Sequence, residues 1–355
     1  MIGVDGTAPV RHGEELNISA LESYLHRTVP ETSGSLVIEQ FPSGHSNLTY
    51  LIRLGEREWV LRRPPFGSKV KGAHDMKREY TVLERLHPVY APAPKPVVFC
   101  DDHSVIGSDF YVMERIQGVI MRHKKPSDFP AVSPELASAC CRGFVKNLAT
   151  LHGLDYKAIG LDALYKGDGY VLRQAEGWAK RYEGSKTDDI AEIDRVIAWL
   201  KDHVPMDTGA VLIHNDYKFD NVVVAPEDLT RIIGVLDWEM CTIGDPLADL
   251  GTSLSYWMEP ADADAFKTVQ CFMTTLPGAM TRQEVANTYA EITGRDLSNI
   301  LYYYILALFK LAVIVQQIYY RYKQGLTQDE RFASMIVMVH LLGRKAVESI
   351  ETGRM

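Results

Sequence analysis

Three short apolar runs, SLVIEQF (35–41), LTYLIRL (48–54) and EWVLRR (58–63), follow one another so closely that they read as neighbouring strands of one antiparallel sheet. Gly55, Glu56 and Arg57 supply a hairpin turn between the last two. HDMKREYTVLERLH (74–87) then changes period. Met76, Tyr80, Leu83 and Leu86 form a helical stripe, and Asp75 is placed to cap its start. Two more strands, PVVFC (96–100) and DFYVMER (109–115), follow a Pro-rich connector at 92–96. The expectation is a small antiparallel sheet with one helix between its third and fourth strands.

After Gly118 the pattern turns helical, with spans expected at about 133–152, 170–182, 189–203, 246–257, 262–275, 281–293, 298–323 and 328–350. The exception is 211–237, where VLIHND, NVVVAP and RIIGVLDW read as short strands joined by loops. A chain of 355 residues exceeds what one core usually serves. We therefore expect an N-terminal extension with a helix (1–34), a sheet lobe with its linker strand (35–117) and a larger helical lobe (118–355). The stretch LYYYILALFKLAVIVQQIYYRY (301–322) is apolar, but Lys310, Gln316 and Gln317 interrupt it. A membrane span needs roughly 20 apolar residues, so a buried helix is expected.

The net charge of −8 lacks the basic footprint of a nucleic-acid binder. Five cysteines, two of them adjacent (Cys140 and Cys141), make neither a disulfide framework nor a CxxC pair, as befits a reducing cytoplasm. The first seventeen residues hold no apolar core, unlike a signal peptide.

The chemistry concentrates in IHNDYKFDNV (213–222). The spacing is His-x-Asp-x-Lys-x-x-Asn from His214 to Asn221, and Asp237 follows sixteen residues later at the end of the apolar strand in VLDWE. Phosphoryl transfer asks for such groups. A carboxylate orients and deprotonates the attacking hydroxyl, oxygen ligands hold Mg²⁺ across nucleotide phosphates, and a cation balances the migrating charge. Asp216 suits the base, Asn221 and Asp237 suit the metal, and Lys218 suits the phosphate. His214 braces the loop. Asp245 and Asp249, at the start of a helix beginning at Pro246, are expected to order the catalytic loop by hydrogen bonds. His152 reads as a core or capping histidine.

This stretch resembles the catalytic loop of the protein-kinase-like superfamily. The tryptophan after Asp237 and the following GDPLADL (244–250) are similar to its aminoglycoside phosphotransferase branch. A nearer likeness, through GHSNLTY (44–50), WVLRRPP (59–65), FYVMERIQG (110–118) and LFKLAVIVQQIYYRY (308–322), is to the kinase-like domains fused to acyl-CoA dehydrogenases and their free-standing bacterial relatives. The resemblance covers nearly the whole chain. It implies an α+β, bilobal protein-kinase-like fold, a small antiparallel sheet N-lobe with one helix and a larger helical C-lobe, with ATP and Mg²⁺ as cofactors.

It also implies a nucleotide site. A third-strand lysine of the superfamily grips the α/β-phosphates and pairs with a glutamate on the next helix. Here the strand end offers Arg62 or Arg63, which alternation sends to opposite faces, with Glu79 as the partner. The phosphate loop FPSGHSNLTY has one glycine, Gly44, where protein kinases have three. Backbone N–H groups from Gly44 to Asn47, with the Ser46 hydroxyl, are the candidate cradle. The linker from Glu114 to Ile116 is implied to meet the adenine edge through its backbone.

Acidic residues after 250 are sparse for a polycationic antibiotic: Glu259, Asp262 and Asp264, then aromatic and aliphatic chain. The segment 62–78 holds six Lys/Arg and one acid, and MRHKK (121–125) adds more positive charge. An anionic acceptor such as a hydroxyacyl-CoA fits these charges and the fused relatives. The leading reading is a Mg-ATP-dependent small-molecule kinase. The alternatives are a nucleotide-binding pseudokinase, an aminoglycoside phosphotransferase and a metal-dependent hydrolase.

Overall fold

The computed structural model of the chain describes residues 6–42, 47–66, 75–121, 132–262, 272–327 and 329–355. In chain order its early elements are α1 (Ile18–Thr28), β1 (Leu36–Gln40), β2 (Leu48–Leu54), β3 (Arg57–Arg63), α2 (Met76–Leu86), β4 (Pro96–Cys100), α3 (His103–Ile106), β5 (Phe110–Glu114) and β6 (Val119–Ile120). The later ones are α4 (Pro134–His152), α5 (Tyr170–Glu183), α6 (Ala191–Asp202), β7 (Val211–Ile213), β8 (Val222–Ala225), β9 (Asp228–Val235), β10 (Thr242–Gly244), α7 (Pro246–Ser255), α8 (Arg282–Thr293), α9 (Ile300–Lys323) and α10 (Met335–Thr352). They form two compact units: Met1–Ile120 with Asn221–Met240, and Met121–Asp220 with Cys241–Met355.

The first unit is built on a five-stranded antiparallel sheet in the order β1-β2-β3-β5-β4. Leu21 and Leu25 of α1 join Tyr50, Ile52, Leu61 and Phe110 from the sheet in one buried cluster. Burying each such side chain contributes roughly 1.5–3 kcal/mol. Asp75 caps α2 by accepting the Arg78 N–H at 2.9 Å. The buried stripe of α2 is Met76, Glu79, Val82, Leu83 and Leu86, while the expected Tyr80 is half-buried. A carboxylate has taken an apolar-looking position because a buried arginine waits there. A second sheet, β6-β8-β9, completes the unit. Its close packing needs Gly118: a Cβ there would lie 2.5 Å from Val223 Cγ1 and 2.6 Å from the Val224 carbonyl oxygen.

The second unit is helical, with the two-stranded pairing of β10 with β7. Its axis is α9, buried from Tyr302 through Val313. Length and composition would let α9 cross a membrane, but 72% of its apolar window is buried inside the protein, as the buried-helix expectation requires. Helix α7 starts with Pro246 under the Asp245 cap and is buried along its whole length. Gly251 lets α7 lie hard against α9, because a Cβ at 251 would meet the Tyr303 carbonyl oxygen at 2.6 Å.

Two helix expectations shift. The span expected at 328–350 begins only at Met335, since Asp329 instead caps a separate short 3-10 turn at Glu330–Phe332. Of the helix expected at 262–275, residues 263–271 lie outside the described ones, and 272–275 form a 3-10 turn.

Candidate active site

In the first unit, β8 and β9 place Val222 opposite Val235. The Leu236 N–H then donates to the Asn221 carbonyl at 2.8 Å, carrying the pairing one step beyond the strands. Asn221 and Asp237 therefore flank the same end of one hairpin. Asp237 has φ +69°, a left-handed conformation that only Glu31 and Asn215 share among the described non-glycine residues. Such strain persists where surrounding contacts enforce it, and functional sites collect it.

Arg62 supplies those contacts. Its buried guanidinium lies 2.9 Å from Asp237 Oδ1, 3.5 Å from Glu79 Oε1 and 3.8 Å from Glu239 Oε2. Glu79 is only 2% exposed, which excludes an ordinary surface acid. Burial pushes its carboxyl upward, Arg62 pulls it down, and Asp237 adds to the rise. Glu239 accepts from Asn47 Nδ2 at 2.7 Å, and its carbonyl accepts from Arg78 Nη1 at 2.9 Å. Arg63 turns the other way: Nη1 donates to the Ile106 carbonyl at 3.0 Å, and the guanidinium carbon sits 3.7 Å from the centre of the Phe66 ring. Alternation along β3 thus leaves Arg62, not Arg63, with Glu79.

The donor set fits the implied Mg²⁺ and nucleotide. Asn221 and Asp237 offer an amide and a carboxylate, the sparse ligation Mg²⁺ accepts when phosphates and water complete its shell. Among the described residues no group of three or more His, Cys, Asp or Glu side chains is arranged to hold a metal. The buried Arg62 Nε has no hydrogen-bond partner among the described residues, a donor suited to an anionic oxygen. Gly44 and Ser46 lie outside the described residues, as do Lys69, Lys71 and 122–125. In the linker, Glu114 is exposed and ion-paired to Lys95 at 2.9 Å. The Glu114 N–H is spent on the Lys95 carbonyl at 2.8 Å, so any linker donor role falls to a later residue. Ile116 packs close to Gly234, where a Cβ would meet its Cδ1 at 2.9 Å.

In the second unit, strand β7 ends at Ile213 and the chain turns sharply. The Asp249 carboxylate accepts the His214 and Asn215 N–H groups, each at 2.7 Å. His214 Nδ1 accepts the Asp216 N–H at 3.3 Å, so this imidazole braces the turn. Behind it, His152 joins Asp249 (3.1 Å) to the Tyr289 hydroxyl (2.7 Å). Burial alone would raise the Asp249 carboxyl, but His152, His214 and the backbone N–H hold it below the usual carboxylate range. Asp245, expected to share this work, instead caps α7 through Leu247 and ties down Thr208 and the Tyr303 hydroxyl. The helix geometry explains the split: positions 245 and 249 are one turn apart, and only the second reaches the loop.

Lys218 Nζ lies 2.9 Å from Asp216 Oδ2 and 3.1 Å from Oδ1, and 4.4 Å from the centre of the Tyr256 ring. Burial works against the lysine charge, and Tyr256 with Asp216 more than restores it. Asp216 is thus a carboxylate with a fixed cation on one side. Sequence reasoning missed Glu239 and Tyr256. The signal for Glu239 was its place two residues after Asp237. Tyr256, just beyond α7, carried none.

Residues 37–271 match the model of the Phosphotransferase enzyme family. Acyl-CoA dehydrogenase family member 11 of Gallus gallus is 33% identical over 352 residues, covering 97% of this chain and 44% of the relative. The Rattus norvegicus protein of the same name is 36% identical over 333 residues, covering 91% and 42%. The chain thus spans less than half the length of these relatives. Among solved structures, a putative aminoglycoside phosphotransferase from Ralstonia eutropha is 29% identical with a TM-score of 0.77, covering 94% of this chain and 99% of that one. Choline kinase from Cryptosporidium parvum, at 12% identity and a TM-score of 0.63, covers 94% and 97% and shares the fold. With an α+β kinase-like fold and a family match across both units, the chain belongs to the phosphotransferase enzyme family.

Proposed function

We propose that this chain transfers the γ-phosphoryl group of Mg-ATP to a hydroxyl of a small molecule, a hydroxyacyl-CoA or similar anionic metabolite. The observation that carries the reading is the catalytic loop: Asp216 is held between a brace from His214 and the ammonium of Lys218. In this reading the acceptor oxygen attacks the γ-phosphorus, its proton passes to the Asp216 carboxylate, and ADP leaves. Lys218 balances charge on the migrating group. Asn221 and Asp237 hold Mg²⁺, which when bound neutralises phosphate charge. Arg62 takes the place of the strand lysine, with Glu79 fixing its fork.

Support for the acceptor class is chemical. Relatives named as acyl-CoA dehydrogenase family members match most of this chain. Of the six Lys/Arg in 62–78, Arg62, Arg63 and Arg78 have partners inside the first unit, and the remaining Lys69, Lys71 and Lys77 suit a phosphate-bearing acceptor. The test is a screen with Mg-ATP over hydroxyacyl-CoAs, sugars, amino alcohols and aminoglycosides, read by mass spectrometry. A hydroxyacyl-CoA gaining one phosphoryl group is the expected result. Phosphorylation confined to aminoglycosides would overturn the acceptor class.

One observation favours a second reading, a nucleotide-binding regulator without turnover: the Arg62 guanidinium itself engages the Asp237 carboxylate. ATP turnover that is measurable with water alone and quickens when an acceptor is supplied separates the two.

A further inference from the structure

Lys310 stands in the middle of α9, the most apolar long helix of the chain, and is 8% exposed. A lysine in such a place is costly unless its charge is used. Its Nζ donates to the Asn215 carbonyl at 2.8 Å. Asn215 is the residue immediately before the proposed base, and its φ of +69° is a conformation that non-glycine residues adopt at a cost. The same residue is held at two further points. Its N–H donates to Asp249 Oδ1 at 2.7 Å, and its side-chain amide meets the Tyr170 hydroxyl at 3.2 Å. The peptide that sets the direction of Asp216 is therefore fastened at its nitrogen, its side chain and its carbonyl, by helices α7, α5 and α9 respectively.

We propose that Lys310 is a positioning residue of the phosphoryl-transfer reaction: its ammonium pins the strained Asn215 peptide and so aims the Asp216 carboxylate. The inference rests on the reading of Asp216 as the acceptor's proton receiver. A second effect has the same sign. Burial pulls the Lys310 ammonium toward neutrality, while the charges of Asp216 and Asp249 oppose that pull.

The test uses the full chain carrying Lys310→Met, which keeps the volume and removes the charge. The change relieves the cost of burying a charge and takes one donor from the Asn215 carbonyl, a loss of about 1–3 kcal/mol that is small for a chain of this size. The melting temperature should therefore stay within a few degrees of wild type, while hydrogen exchange at the amides of 214–217 quickens by about tenfold or more and that of α9 does not change. With Mg-ATP alone as the probe and water as acceptor, phosphate release should fall about tenfold in kcat, with the ATP KM within about twofold. Asp216→Asn is run beside it. If that variant releases phosphate at the wild-type rate, the base assignment fails, and the local exchange still decides whether Lys310 pins the loop. Unchanged exchange at 214–217 would overturn the positioning role. So would exchange that rises equally throughout the second unit, because that marks a purely structural lysine. Lys310→Gln serves if the methionine variant does not fold. Failure of both to fold overturns the assignment.

Discussion

The two units carry opposite charge arrangements around their key carboxylates. In the first, one guanidinium, Arg62, faces three acids: Glu79, Asp237 and Glu239. In the second, one acid, Asp216, lies against the Lys218 ammonium, with the Lys310 ammonium near enough for the two charges to interact. The first cluster thus carries more carboxylate than cation, and in the second the Asp216 carboxylate lies against a cation. Both clusters sit beside a non-glycine residue at φ +69°, Asp237 in one and Asn215 in the other. Each unit therefore holds one strained residue beside its own group of charged side chains.

The sharpest way to break this contrast is at Asp237. Asp237→Ala should remove Mg-dependent ATP binding and lower transfer on the order of a thousandfold, as loss of several kcal/mol of charge stabilisation implies. The fold should persist, because Arg62 keeps Glu79 within 3.5 Å. Titration calorimetry with Mg-ATP checks it, and normal Mg²⁺ dependence would contradict the assignment.

In the second unit the corresponding change costs stability. Asp249→Asn removes the charge from a buried carboxylate that accepts from His152 and two loop N–H groups, at a cost of about 1.5–3 kcal/mol or more. The Asp249 carboxyl is held below its ordinary value despite burial. Its contribution is therefore present above the unfolded pKa of about 3.9 and is lost as pH falls through the lower folded value. Melting curves of wild type and variant should be far apart at neutral pH and converge in strong acid. A gap independent of pH would refute the ionised state.

Smaller effects separate the two faces of β3. Arg62→Lys shortens the fork among the acids and should raise the ATP KM about tenfold, from loss of roughly 1.5 kcal/mol of charged hydrogen bonding. Arg63→Lys should leave the ATP KM unchanged and cost about 0.5–1 kcal/mol of stability, through the Phe66 ring. Equal effects on KM would mean that the faces had been assigned wrongly.

Much of this arrangement was legible in the sequence because it is periodic or local. The runs at 35–63 paired as expected because their turns are too short for other partners, and His214 to Asn221 is one continuous loop. The rest depends on contacts that periodicity cannot encode. Tyr80 looked like the apolar member of the α2 stripe, but Glu79 turned inward because Arg62 sits opposite it on strand β3. Lys310 registered only as a break in an apolar run, and its meaning appears once α9 is seen against the catalytic loop. Asp245 and Asp249 looked equivalent in GDPLADL, and only the turn of α7 assigns them different tasks.

In the proposed reaction Asp216 accepts a proton from a small-molecule hydroxyl during phosphoryl transfer from ATP. The direct measurement follows the γ-phosphoryl group by mass spectrometry, from labelled Mg-ATP to the acceptor found in the screen, with wild type and Asp216→Asn side by side. The expected result is transfer slowed by about 10²–10⁴-fold in the variant with nucleotide affinity nearly unchanged. Transfer at more than roughly a tenth of the wild-type rate in Asp216→Asn would contradict it.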